Sequence, residues 1–92
     1  MRAVFVHIKC ELGKAYEVAD QAMETIEEIS EIYSTSGQYD LLAKFYLADG
    51  IDIGRFVTER VQTLPGVADT FTLITFNAFT NDKSPGGTRL GG

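Results

Sequence analysis

Cysteine, histidine and tryptophan are nearly absent from this chain of 92 residues, which has one cysteine, one histidine and no tryptophan. A single thiol, Cys10, cannot form an internal disulfide, and this fits a reducing compartment. Because Cys10 ends an apolar run, we expect a buried thiol and not a reactive nucleophile. The sequence also has no HExxH, GxSxG or P-loop pattern, so the common hydrolase and nucleotide-binding motifs are absent.

Basic residues are scarce as well, with 8 Lys and Arg against 13 Asp and Glu and a net charge of -5. They are scattered along the chain, which argues against a nucleic-acid surface, since phosphate binding needs clustered Lys and Arg. Contact with nucleic acid through a partner protein stays open. No apolar run approaches the roughly 20 residues of a membrane span, and no charged-then-apolar leader opens the chain. We therefore expect a cytoplasmic protein.

Period-two and helical patterns alternate along the chain in the order βαββαβ. Asp49 or Asp52 can cap the second helix, and Pro65-Gly66 ends it. Two halves of this kind predict an α+β, ferredoxin-like sandwich with a four-stranded antiparallel sheet. We predict strands over 2–10, 29–36, 39–48 and 67–76, helices over about 15–26 and 53–64, one domain over 1–79 and a flexible, Gly-rich tail over 80–92.

The first and third predicted strands are apolar on both faces. In the third strand, Tyr39 and Leu41 share one face with Phe45, whereas Leu42 and Tyr46 lie on the other. Two helices cover only one face of a four-stranded sheet, so the second face needs another cover. A second copy of the chain would supply it, which predicts a homodimer resembling an α+β barrel. Scattered exposed apolar side chains are the alternative.

The remaining polar residues offer little for catalysis or metal binding. Glu27, Glu28 and Glu31 predict a solvated acidic edge, because a hard-metal site needs oxygens from several segments. We expect no metal and no cofactor. His7 lies mid-strand on the predicted dimer face, where a hydrogen-bonded interface residue is the simpler interpretation. The alternative is a small dimeric α+β barrel enzyme, similar to a monooxygenase or isomerase, that uses His7.

The stretch "TSGQYDLLAKF" (35–45) combines a turn with an unexpected acid. A two-residue hairpin at Gly37-Gln38 explains the glycine, which allows a positive φ. It does not explain Asp40, because strands disfavour Asp and a half-buried carboxylate needs hydrogen-bond donors. Backbone N–H groups or the ammonium group of a ligand could supply those donors.

This stretch and the later "LPGVADTFTLITF" (64–76) resemble the effector-binding, or RAM, domain of the Lrp/AsnC (feast/famine) transcription regulators. The resemblance covers residues 3–76, including the opening "VFVHIKCELGKAYEV". Ser36 stands where the family usually has Thr, and both supply a hydroxyl. The matching residues are Ser36, Gly37, Tyr39 and Asp40, then Pro65, Gly66 and Val67, then Thr70 and Thr72.

The resemblance implies a regulator and not an enzyme, built from dimers that assemble further, commonly into rings. It implies that a small molecule, chiefly an amino acid, binds where dimers meet. Family regulators carry an N-terminal helix-turn-helix, and this sequence starts at the first strand, so it resembles the stand-alone members. A DNA-binding Lrp/AsnC paralogue is then a possible partner, without direct DNA or membrane contact. The ligand-binding residues implied are Ser36, Gly37, Tyr39, Asp40, Thr70 and Thr72.

Overall fold

A computed structural model of the chain describes residues 1–81. The predicted order of elements is confirmed. The predicted tail over 80–92 lies outside the described residues except for its first two. The elements are β1 (Arg2–Cys10), α1 (Ala15–Thr25), β2 (Ile29–Ser34), β3 (Leu41–Leu47), α2 (Ile53–Phe56), a π-helical turn (Val57–Val61) that continues α2, and β4 (Val67–Ile74).

The four strands form one sheet in the order β2-β3-β1-β4, and every neighbouring pair is antiparallel. Val4 of β1 lies opposite Phe45 of β3, and Val6 lies opposite Thr72 of β4. This topology is the ferredoxin-like α+β sandwich that the sequence predicts. β1 and β3, which the sequence predicts to be apolar on both faces, are the central strands, and β2 and β4 are the edges.

One face of the sheet packs against the helices and forms the core. Because side chains alternate along a strand, β1 buries every second residue, and Val4, Val6 and Ile8 are each 0% exposed. Phe45 of β3 is equally buried, and its ring meets the ring of Phe56 edge-on at 5.2 Å. No helix within the described residues is long and apolar enough to cross a membrane.

The second helix differs from its predicted form. Of the two candidate caps, Asp52 is the one used, since its Oδ1 accepts from the Arg55 N–H at 3.0 Å. After Phe56 the backbone widens into the π-helical turn, where the Gln62 N–H donates to the Val57 carbonyl at 2.8 Å. The helix therefore ends at Val61 and not near residue 64.

The other face of the sheet carries no helix among residues 1–81, and we call it the open face. Its side chains form rows across the strands, because paired residues of an antiparallel sheet point to the same side. The central row places Leu42 beside His7, with Tyr33 and Phe71 at its ends, 53% and 51% exposed. The next row runs from Glu31 through Lys44 and Phe5 to Leu73.

Candidate functional site

The connection between β2 and β3 covers residues 35–40, and we call it the 35–40 turn. It is longer than the predicted two-residue hairpin, because β2 ends at Ser34 and β3 begins at Leu41. Thr35 closes the turn: its N–H donates to the Asp40 carbonyl at 2.8 Å and its hydroxyl to the Tyr39 carbonyl at 2.9 Å. Gly37 near the tip has φ +103°, the positive φ that the sequence predicts there.

Asp40 joins the 35–40 turn to the end of β1. Its N–H donates to the Ile8 carbonyl at 2.9 Å, and its Oδ2 accepts from the Cys10 N–H at 2.7 Å. The strand register shifts between Lys9 and Cys10, and the carboxylate binds the Cys10 N–H just beyond that shift. A backbone N–H is thus one donor to this half-buried acid. Within the described residues, Oδ1 accepts no hydrogen bond.

Tyr39 lies on the opposite side of the sheet from its predicted position. Its ring sits on the open face, with ring centroids 5.2 Å from His7 and 6.3 Å from Phe71. The prediction extended the alternation of β3 back to residue 39, which would place Tyr39 with Leu41 on the core face. Because residues 35–40 form a turn, that alternation begins only at Leu41.

In the 35–40 turn, three backbone carbonyl groups accept hydrogen bonds, whereas several backbone N–H groups have no acceptor among the described residues. The carbonyls of Gln38, Tyr39 and Asp40 all accept, the first from the Lys9 ammonium at 3.4 Å. The N–H groups of residues 36–39 donate to no acceptor among residues 1–81. Consecutive free N–H groups at a turn attract an anion. Residues 36–38 are exposed and lead directly into the half-buried Asp40.

A shallow cavity of about 260 Å³ opens beside Asp40, between the end of β1 and the start of α1. This is close to the lower end of the roughly 300–1,000 Å³ range of ligand pockets. Leu12 and Tyr16, which no sequence motif predicted to belong to a site, line this cavity and are 100% and 77% exposed. The available signal was Leu12 itself, an apolar residue in the polar connection between strand and helix. The cavity is lined by Lys9, Cys10, Glu11, Leu12, Gly13, Ala15, Tyr16 and Asp40.

Thr70 and Thr72 lie apart from the 35–40 turn. They pair with Ile8 and Val6, whose side chains are in the core, so the two threonines face the helix side of the edge strand β4. The Thr70 hydroxyl accepts from the Gln62 side-chain amide at 2.8 Å. Ser36, Gly37, Tyr39 and Asp40 form one group by sequence, and the structure does not bring Thr70 and Thr72 to it within one chain.

The remaining chemically active side chains are held in protein contacts. His7 packs beside Tyr39 and Phe71, with ring centroids 5.2 and 6.4 Å away, and its Nδ1 is buried without a hydrogen-bond partner among residues 1–81. Burial, and then the nearby Asp40 carboxylate, raise the pKa of the Cys10 thiol, so the thiolate is disfavoured. Glu28 lies 3.6 Å from the Arg60 guanidinium. No group of His, Cys, Asp or Glu within residues 1–81 is arranged to hold a metal ion.

The sheet order and the placement of the helices define a ferredoxin-like α+β domain. The chain matches the model of the Lrp/AsnC ligand binding domain over residues 3–85 and belongs to the Lrp/AsnC family. It is 36% identical over 70 residues to the HTH-type transcriptional regulator FL11 of Pyrococcus abyssi, covering 76% of this chain and 45% of that protein. It is 34% identical over 73 residues to the leucine-responsive regulatory protein of Haemophilus influenzae, covering 77% of this chain and 44% of that protein. The chain spans less than half the length of these relatives.

Solved structures agree with the fold. The chain superimposes on FFRP-DM1 with a TM-score of 0.75 at 29% identity, covering 83% of this chain and 100% of that one. A protein of Thermus thermophilus gives a TM-score of 0.75 at 31% identity, covering 87% and 99%. A feast or famine regulatory protein of M. tuberculosis, complexed with L-methionine, gives a TM-score of 0.68 at 25% identity, covering 90% of this chain and 55% of that one. The predicted family and fold are confirmed.

Proposed function

We propose that this domain binds a small molecule, an amino acid in the first instance, at the 35–40 turn and acts in transcriptional or metabolic regulation. The observation that carries the proposal is that the N–H groups of residues 36–39, which donate to no acceptor among residues 1–81, directly precede Asp40, whose side chain borders a cavity. The N–H groups would bind the carboxylate of an amino acid, and Asp40 Oδ1 would accept from its ammonium group. The L-methionine bound to the M. tuberculosis relative is consistent with this ligand class.

The cavity beside Asp40 would take the ligand side chain. Leu12 and Tyr16 give it apolar walls, and the cavity is open on its outer side because both residues are so exposed. A neighbouring subunit would close it. Thr70 and Thr72, which face away from the turn of their own chain, would contribute hydroxyls only to a site completed by another copy.

Self-association through the open face is the second part of the proposal. The face exposes aromatic and aliphatic side chains that water solvates poorly, and a second copy would cover them. Glu31 and Lys44 lie opposite each other in one row, so two copies related by a two-fold axis can exchange charge pairs across the interface. We propose a homodimer that assembles further, with a DNA-binding Lrp/AsnC paralogue as a possible partner.

A regulatory role is favoured over an enzymatic one, since the relatives are named transcriptional regulators. The enzyme alternative needs a reactive imidazole, whereas His7 Nδ1 is enclosed and its ring neighbours are Tyr39 and Phe71. A regulator of this kind would act in the cytoplasm.

A thermal-shift screen of the twenty amino acids tests the proposal. A ligand at about a hundred times its Kd stabilises the folded protein by roughly 2.7 kcal/mol, so a true effector raises the melting temperature measurably. The proposal fails if no amino acid raises it.

A further inference from the structure

Three charged residues border the cavity beside Asp40, and their charges do not cancel. Lys9, Glu11 and Asp40 all line it, which gives two acids against one base. None of the three forms a salt bridge among residues 1–81. Lys14, the next base along the chain, is paired with Glu17 at 3.4 Å and does not line the cavity. Within the described residues, the cavity therefore has one unit of negative charge in excess.

The charged groups of Lys9 and Asp40 are held by backbone groups next to the cavity. The Lys9 ammonium donates to the Gln38 carbonyl at 3.4 Å, and Asp40 Oδ2 accepts from the Cys10 N–H at 2.7 Å. The ammonium has further N–H donors and the carboxylate has a second oxygen, Oδ1, and none of these bonds to a residue among 1–81. An ammonium and a carboxylate with free bonding capacity at one cavity complement the two charged groups of an α-amino acid.

Glu11 is the acid that these two groups leave unmatched. Its backbone N–H donates to the Gly66 carbonyl at 2.8 Å, which holds the backbone where β1 leads into the connection to α1. The residue is exposed, and its side chain has no ion pair among residues 1–81. Leu12 and Tyr16, both highly exposed, line the same cavity. Apolar surface beside an unpaired acid suits a ligand side chain that carries a cation at the end of an aliphatic stem.

We propose that the ligand is a dibasic amino acid, such as lysine, ornithine or arginine, and that Glu11 selects it by accepting from the second cationic group. This ligand class rests on the proposed function, which places an amino acid in the cavity. Asp40 takes the α-ammonium, and Lys9 adds its positive charge to the N–H groups that bind the carboxylate. The aliphatic stem lies along Leu12 and Tyr16.

Charge balance distinguishes this class from other amino acids. A dibasic amino acid has one positive charge in excess, so it neutralises the excess charge of the cavity. A neutral amino acid leaves Glu11 unmatched, and an acidic one adds a repulsion. We therefore expect affinity to fall in the order lysine, norleucine, glutamate.

Isothermal titration calorimetry of the full chain with L-lysine and L-norleucine tests the ligand class, because the two differ only by the ε-ammonium group. We expect L-lysine to bind about 3-fold to 5-fold more tightly at low ionic strength, near the upper limit for an exposed ion pair. High ionic strength should bring the two affinities together, since salt screens exposed charges.

Glu11→Gln locates the selection. It removes the charge, keeps the size of the side chain and leaves the backbone bond to Gly66 in place. L-lysine should then bind no more tightly than L-norleucine, whose affinity should stay unchanged. Glu24→Gln is the matched control, because it removes one negative charge from an exposed position on α1 that does not border the cavity, and it should keep the preference. Glu11→Lys should reverse the preference, which also tests the role if Glu11→Gln is poorly folded.

The remaining outcomes overturn the proposal at different levels. Equal affinities for L-lysine and L-norleucine at low ionic strength overturn the ligand class and leave the proposed function standing. A lysine preference that survives Glu11→Gln or Glu11→Lys, or that Glu24→Gln also removes, overturns the role of Glu11. If neither these two ligands nor any of the other amino acids binds, the proposed function fails, and the ligand class fails with it.

Discussion

The Cys10 N–H donates to Oδ2 of Asp40 at 2.7 Å, joining the end of β1 to a residue 30 positions later in the chain. This bond accounts for an acid directly before the apolar strand β3. It satisfies a part-buried donor beside a strand irregularity, and it holds the second carboxylate oxygen next to the cavity. The same residue can therefore stabilise the fold and bind a ligand, and the two roles are separable by choice of variant.

Replacing Asp40 with Ala should destabilise the domain more than replacing it with Asn. Ala leaves the Cys10 N–H without an acceptor, at a cost of about 1–3 kcal/mol, whereas the Asn side-chain oxygen can still accept. Urea unfolding followed by circular dichroism measures both free energies. Equal losses for the two variants would show that the hydrogen bond contributes nothing.

The Cys10 thiol should react slowly with iodoacetamide at neutral pH. Burial, and secondly Asp40, raise its pKa, so the reactive thiolate forms only as the pH rises above the ordinary cysteine value. Asp40→Asn removes the neighbouring negative charge and should increase the rate. The same protein in denaturant serves as the control, and a native rate equal to the denatured rate at neutral pH contradicts the assignment.

Ala should be tolerated worse at Gly66 than at Gly37. Both glycines have positive φ, +93° and +103°, which costs Ala about 1–2 kcal/mol at either position. At Gly66 a Cβ would also lie 3.0 Å from Val18 Cγ2, whereas nothing lies within 4 Å at Gly37. Crowding should add about 1–3 kcal/mol at Gly66. Thermal melts of the two variants compare the losses directly, and a Gly37 variant that melts lower would refute the packing argument.

Phe71→Glu should prevent self-association, because it places a charge on the open face that a second copy would have to bury. Met23→Glu is the matched control, since Met23 is 52% exposed and Phe71 51%, but Met23 lies on α1. Sedimentation at micromolar concentration should give a monomer for the first variant and at least a dimer for the second and for the unaltered chain. If the unaltered chain is itself a monomer at this concentration, the proposal of an interface at the open face is wrong.

The sequence predicted the elements that have strong periodicity. Alternation in β1 and the helical spacing in α1 identified their buried faces, because a whole face must be apolar to pack on the core. β1 is found over its predicted range, and α1 ends one residue before the predicted end. The cap at Asp52 and the positive φ of Gly37 were also accessible, because each depends on local chemistry.

The sequence did not predict features that depend on partners distant in the chain. Alternation alone could not show that Tyr39 leaves the β3 pattern, since that depends on the bonds that close the turn at Thr35. It could not identify the π-helical turn after Phe56, because no residue type marks one. For the candidate site, the acid at Asp40 was visible, whereas its bond to Cys10 and the cavity formed with Leu12 and Tyr16 required the fold.

Isothermal titration calorimetry of Asp40→Asn, beside Asp69→Asn as control, tests the ligand site most directly. Each acid accepts one backbone N–H, from Cys10 and Thr70 respectively, but only Asp40 borders the cavity. With the amino acid that gives the largest thermal shift, Asp40→Asn should weaken binding by about 1.5–3 kcal/mol, the scale of a charge-assisted hydrogen bond, and Asp69→Asn should bind like the unaltered chain. Binding by Asp40→Asn as tight as that of the unaltered chain would contradict a ligand role for Asp40 and leave it a purely structural residue.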